Sequence, residues 1–130
     1  MSAFTVEFTN QPGELAGLCE AMAARGVNLV LCGSTHGEGG TVAFVADDEA
    51  AARTALEDAG IEFTERQALA VRMDNVPGAG AATFRKLADA GVNVELLLPV
   101  RVSAQEFHAV ICVGDLDAAR RALSGQVVDG

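Results

Sequence analysis

The chain has 130 residues, half of them hydrophobic, which is enough for one ordinary domain or two very small ones with a buried core. Nine Lys plus Arg against eighteen Asp plus Glu give a net charge of −9, which repels a phosphate backbone, and the absence of Trp and Tyr leaves few rings for base stacking. These features exclude nucleic acid as a natural partner. No apolar run reaches the roughly 18 residues of a membrane span, and "MSAFTVEFTN" has neither the charged start nor the apolar segment of a signal peptide. The expectation is a soluble, cytoplasmic chain with no membrane partner.

In chain order, Phe4, Val6 and Phe8 alternate with Thr5, Glu7 and Thr9, the period of a half-buried strand. Leu15, Leu18, Cys19 and Met22 then recur at helical spacing. Pro12 suits a first helical position and Gly26 a C-terminal stop. "VNLVLCGS" and "TVAFVADD" flank the turn-rich "THGEGG" and read as a hairpin. Asp47 or Asp48 offers an N-cap for a helix over Glu49 to Ala59, ended by Gly60, and "IEFTER" follows as a strand.

The same series then runs again. Asn10, Pro12, Gly13, Gly26, Val27 and Asn28 match Asn75, Pro77, Gly78, Gly91, Val92 and Asn93 at one constant offset of 65 positions. "AARTAL" at Ala51 matches "AARRAL" at Ala118 with an offset of 67, so the second copy holds a two-residue insertion, placed most simply in a hairpin turn. Strands are expected near Ala68 to Asp74, Asn93 to Val102 and Glu106 to Val113, with a helix from Asp115 to Leu123 and a short strand at Gln126 to Val128. Residues 1–66 and 67–130 thus form two repeats of a ferredoxin-like βαββαβ pattern. The fold class is α+β, with antiparallel sheets carrying helices on one face. Repeats this small are expected to share an interface, packed side by side.

The strand, then N-x-P-G, then a helix closed by G-V-N, once in each half, resembles the ACT domain, a regulatory module that binds amino acids in many metabolic enzymes. The likeness covers nearly the whole chain and is similar to free-standing tandem ACT proteins with no attached enzyme. In that family, two domains commonly sit side by side through their second strands, with ligand pockets at the junction. The resemblance implies ligand contacts at Asn10, Gln11, Pro12, Gly13 and Glu14 with Asn28 and Leu29, and at Asn75, Val76, Pro77, Gly78 and Ala79 with Asn93 and Val94. Some serine-binding members have a histidine where this chain has Phe8 and Met73, a departure that speaks against a serine-type contact there.

The residues suit that chemistry. A free amino acid needs donors and acceptors a few ångströms apart. Gln11 and Val76 are poor capping side chains, so the amides at both helix starts stay free for a carboxylate, and the bare glycines let it approach. An asparagine amide supplies a donor and an acceptor together. Asn28 lies a helix length from its own Gly13, roughly 18 Å at 1.5 Å per residue, so the two meet only across two repeats. The structural alternatives are a turn-forming Asn before Pro-Gly and an Asn that follows a helix-ending Gly. Glu14 near a helix start favours the dipole, and its counterpart is Ala79.

Cys19, Cys32 and Cys112 are read as small buried thiols, His36 as a solvated turn residue and His108 as a packed strand residue. No metal, no cofactor and no catalytic constellation are expected. The chain reads as a non-catalytic sensor with an amino acid ligand, forming a homodimer or docking on a metabolic enzyme. The alternative is a ligand-free dimerisation or protein-docking module.

Overall fold

The structure, a computed structural model, describes residues 1–128. Two compact units divide it, Ser2–Arg66 and a second that starts at Gln67 and includes Met1. The first unit runs β1 (Ser2–Thr9), α1 (Glu14–Ala23), β2 (Leu29–His36), β3 (Gly39–Ala46), α2 (Glu49–Asp58) and β4 (Thr64–Gln67). Its sheet has the order β2-β3-β1-β4, and β3 is antiparallel to both β1 and β2. The alternation of β1 buries Phe4 and Val6 against Leu18 and Met22 of α1, Val42 and Phe44 of β3, and Ala52, Ala55 and Leu56 of α2. Both helices therefore meet one face of the sheet. Phe4 and Phe44 are register partners whose rings stack at 5.2 Å.

The ends of α2 are fixed by local chemistry. The Asp48 carboxylate accepts from the Ala51 amide at 3.0 Å, and Gly60 takes a left-handed conformation with φ 69°. Ile61 donates to Leu56 O at 2.9 Å. That bond commits the Ile61 amide to the helix end, so β4 starts only at Thr64, three residues later than the strand expected from Ile61. Arg53 of α2 grips Glu65 of β4 through two bonds of 2.7 Å, and Ser2 Oγ donates to the same carboxylate at 2.7 Å.

The second unit runs β5 (Leu69–Asp74), α3 (Ala79–Asp89), β6 (Val94–Val102), β7 (Glu106–Val113) and α4 (Leu116–Ala122), with the sheet order β5-β7-β6. Leu69, Val71, Met73, Leu87, Ile111 and Leu123 form its core. The expected strand at Gln126 to Val128 is reduced to one bridge, Val71 to Val127. Arg72 N donates to Gln126 O at 2.8 Å, but the Gln126 amide is spent on Leu123 O at 2.8 Å. The Gln126 side chain replaces it, its Nε2 donating to Arg72 O at 3.3 Å. Each unit is an α+β, ferredoxin-like repeat.

The inserted residues are not in the hairpin turn. His36 pairs with Gly39 around Gly37 and Glu38, and Ser103 N donates to Glu106 O at 2.8 Å around Ala104 and Gln105, a closure of the same length. The register of β6 against β7 instead shifts twice, between Val94 and Leu96 and between Pro99 and Arg101. Glu95 and Val100 are thus single-residue bulges, each absorbing one inserted position. The first hairpin is also tighter than its glycines suggest. Gly39 and Gly40 belong to β3, and an added Cβ on Gly40 would meet the Phe8 ring at 2.7 Å.

Candidate functional site

Gly13 and Gly78 start the two equivalent helices in nearly identical left-handed conformations, φ 92° and ψ −14° against φ 91° and ψ −14°. Pro12 and Pro77 therefore lie ahead of the helices instead of at the first helical position, because the left-handed glycine intervenes. An added Cβ would meet nothing within 4 Å at either glycine. Backbone conformation requires them, and the space above each is open. Neither helix start has a side-chain cap, whereas α2 and α4 are capped by Asp48 and Asp115. The amides at the first turns of α1 and α3 are left to an anion, favoured by the helix dipole. At the second helix, Val76 O accepts from Ala79 N at 3.3 Å, so that start is partly satisfied from within.

Asn10 and Asn75 make matching bonds. Asn10 Nδ2 donates to Gly37 O at 3.3 Å and its amide to Glu38 O at 2.7 Å. Asn75 Nδ2 donates to Ser103 O at 2.6 Å and its amide to Gln105 O at 2.9 Å. Each asparagine clips the glycine loop to the hairpin turn of its own repeat and keeps its amide oxygen to accept. The sequence had no signal for this clip beyond the repetition of Asn itself.

Gly26 and Gly91 end their helices at φ 66° and 75°, after which Val27 and Val92 are buried and Asn28 and Asn93 are exposed. Leu29 and Val94 follow, half-buried, Leu29 packing against the core of the first unit and Val94 against that of the second. The Asn28 amide donates to Asp47 Oδ1 at 3.0 Å. Asp47 has Gly114 as its counterpart, so Asn93 lacks that support. The ten residues of α1 set Asn28 roughly 15 Å from Gly13 at 1.5 Å per residue, so one repeat does not bring them together. Gln11 and Glu14 are exposed, and Glu14 Oε1 accepts from Thr9 Oγ1 at 2.8 Å. The second repeat moves the charge from helix to strand, with Asp74 at the place of Thr9 and Ala79 at that of Glu14.

Cys112 is buried, but Cys19 and Cys32 are exposed. Cys19 follows Leu18 off the buried face of α1, and Cys32 lies on the edge strand β2. Among the described residues, no group of three or more His, Cys, Asp or Glu is placed to hold a metal ion, and no helix is long and apolar enough to cross a membrane. His36 ends β2 in an exposed position. His108 is mostly buried on β7, and its Nε2 is 3.6 Å from Glu106 Oε1 with no hydrogen-bond partner.

No protein-family model and no curated protein matches the chain. Solved structures do. Protein BT0572 from Bacteroides thetaiotaomicron is 22% identical with a TM-score of 0.87, the match covering 98% of this chain and 90% of that one. The regulatory subunit of aspartate kinase from Thermus thermophilus is 24% identical, with a TM-score of 0.70 over 94% of this chain and 88% of its own. The corresponding subunit from Thermus flavus is 23% identical, with a TM-score of 0.65 and the same coverage. With the glycine loop and the helix-ending G-V-N in the same place in both units, the chain has the fold of two ACT-type repeats in tandem.

Proposed function

We propose that the chain is a non-catalytic regulatory protein of the cytoplasm that binds a free amino acid or a similar zwitterion at its ACT repeats. One observation carries the reading. Of the four helices in the described residues, the two that follow the glycine loops start without a side-chain cap, and the other two are capped by aspartate. A ligand carboxylate bound to the free amides at Gly13-Glu14, or at Gly78-Ala79 in place of the 3.3 Å bond from Ala79 N to Val76 O, completes those helix starts, with Gln11, Pro12, Val76 and Pro77 walling the loop. The Asn10 or Asn75 amide oxygen takes an ammonium proton. Asn28 with Leu29, or Asn93 with Val94, closes the site from another ACT repeat. The regulatory subunits of aspartate kinase with the same fold support a place in amino acid metabolism, as a homodimer or docked on an enzyme.

A thermal-shift screen of the twenty amino acids, followed by calorimetry, tests the reading. A ligand at a hundred times its Kd adds about 2.7 kcal/mol of stability. No binding at millimolar concentration sinks it. A ligand-free docking module is the second reading, and the bonds of Asn10 and Asn75 to their own hairpin turns favour it, since they give both residues a structural task.

A further inference from the structure

We propose that the first repeat carries a second site, a cleft along the outer edge of β1 that takes an extended peptide segment bearing positive charge. The cleft holds about 1270 Å³ and lies wholly within the first unit, between β1, the start of α1 and the connection from α2 to β4. Val6, Leu18, Val42 and Phe63 give it an apolar floor, and Glu14 and Glu62 stand on opposite walls. No Lys or Arg lines it.

The second repeat shows what such an edge accepts. Arg72 and Glu7 hold equivalent positions, Arg72 opposite His108 and Glu7 opposite Thr41. The Arg72 amide and carbonyl bind Gln126, whose Nε2 also reaches Thr83 Oγ1 at 2.9 Å. A short extended segment with its side chain therefore fills that edge. At Glu7 the residues from Ala59 to Phe63 make no backbone bond to either group. The reason is the delayed start of β4, which leaves the connection off the edge of β1. Leu18 replaces Thr83 and Gly17 replaces Ala82, so the vacant edge is more apolar and roomier than its filled counterpart. An unpaired strand edge recruits a peptide backbone, an apolar floor takes alternate side chains, and the two carboxylates select positive charge on the others.

This site shares Pro12, Gly13 and Glu14 with the amino acid site, but Gly17 and Glu62 belong to the cleft alone and Asn28 to the amino acid site alone, so the two fail independently. The test uses the full chain with acetyl-Lys-Val-Lys-Val-amide as the probe, followed by calorimetry. The lysine peptide should bind at least about ten-fold tighter than acetyl-Glu-Val-Glu-Val-amide, a difference of about 1.4 kcal/mol. N-methylation of both valine amides should weaken it by a similar factor. Gly17→Leu places a side chain where an added Cβ meets nothing within 4 Å, filling the cleft without strain, and should also lower affinity at least about ten-fold. Glu62→Gln, an exposed change, should weaken the lysine peptide about three-fold and serves if Gly17→Leu lowers the melting temperature. Asn28→Ala should leave peptide affinity unchanged. Absence of binding at about 5 mM, equal binding of the glutamate peptide, or unchanged affinity in both variants overturns the proposal.

Discussion

The ring of Phe8 occupies the space that a side chain on Gly40, its partner across β1 and β3, would need. An ideal Cβ there would lie 2.7 Å from Phe8 Cζ and 2.8 Å from Ser34 O. The second repeat solves the same pair with Met73 and Phe107, moving the aromatic ring to the other strand. Gly40→Ala should destabilise the protein by about 1–3 kcal/mol, the range of an overpacked core. In a Phe8→Ala background the penalty should shrink and leave the share due to Ser34 O, which urea denaturation of the four proteins would resolve. Additive effects would show that the ring is not the obstacle.

Gly13→Ala and Gly78→Ala force a side chain into a left-handed conformation in otherwise open space. Each should cost about 1–2 kcal/mol of stability through backbone strain alone. Equal midpoints for variant and parent in chemical denaturation would contradict the assigned conformations.

If the chain binds an amino acid as proposed, Asn28→Ala should lose one donor and one acceptor. The affinity should fall by about 1–3 kcal/mol, five- to a hundred-fold. Asn93→Ala should act on the other site. Calorimetry with the ligand found in the screen separates the two, and parental affinity in both variants would return these asparagines to a helix-end role.

The Glu65 carboxyl is lowered to about 2, first by the two bonds from Arg53 and then by the Ser2 hydroxyl. A depressed carboxyl contributes stability above its ordinary value of 4.5 and loses that contribution as the pH falls toward 2. The pair is part-exposed, so the contribution is about 1 kcal/mol. Between about pH 5 and 2.5, the parent should lose that much more stability than Glu65→Gln, because the other carboxylates titrate in both. Parallel curves in urea denaturation would show that the bridge contributes nothing.

The repeated punctuation residues made most of the fold legible. Pro-Gly before a helix, Gly-Val-Asn after it and alternation in the strands name local conformations, and the structure puts elements where they indicate. What the sequence concealed depends on which backbone group is already committed. The Ile61 amide closes a helix, so β4 starts late, and the Gln126 amide closes a turn, so the last strand is one bridge. Gly39 and Gly40 look like turn residues until Phe8 is known to lie across one of them. At the site, the loop glycines were visible as glycines, but not their left-handed conformation. The partners of Asn10 and Asn75 lie 27 and 28 residues away, beyond any local pattern.

The bulges at Glu95 and Val100 bear on self-association. β2 and β6 are the corresponding edge strands of the two sheets. β2 is in unbroken register with β3 over eight residues and carries no Asp, Glu, Lys or Arg, so it can template a further strand without repulsion. β6 is kinked twice, holds Pro99 beside a kink and presents Glu95 and Arg101, all of which blunt strand addition. One edge invites and the other refuses. A chain with two inviting edges would grow into a ribbon; in a homodimer of the kind proposed, β6 would not extend the sheet, and the two inserted residues would act as its terminator.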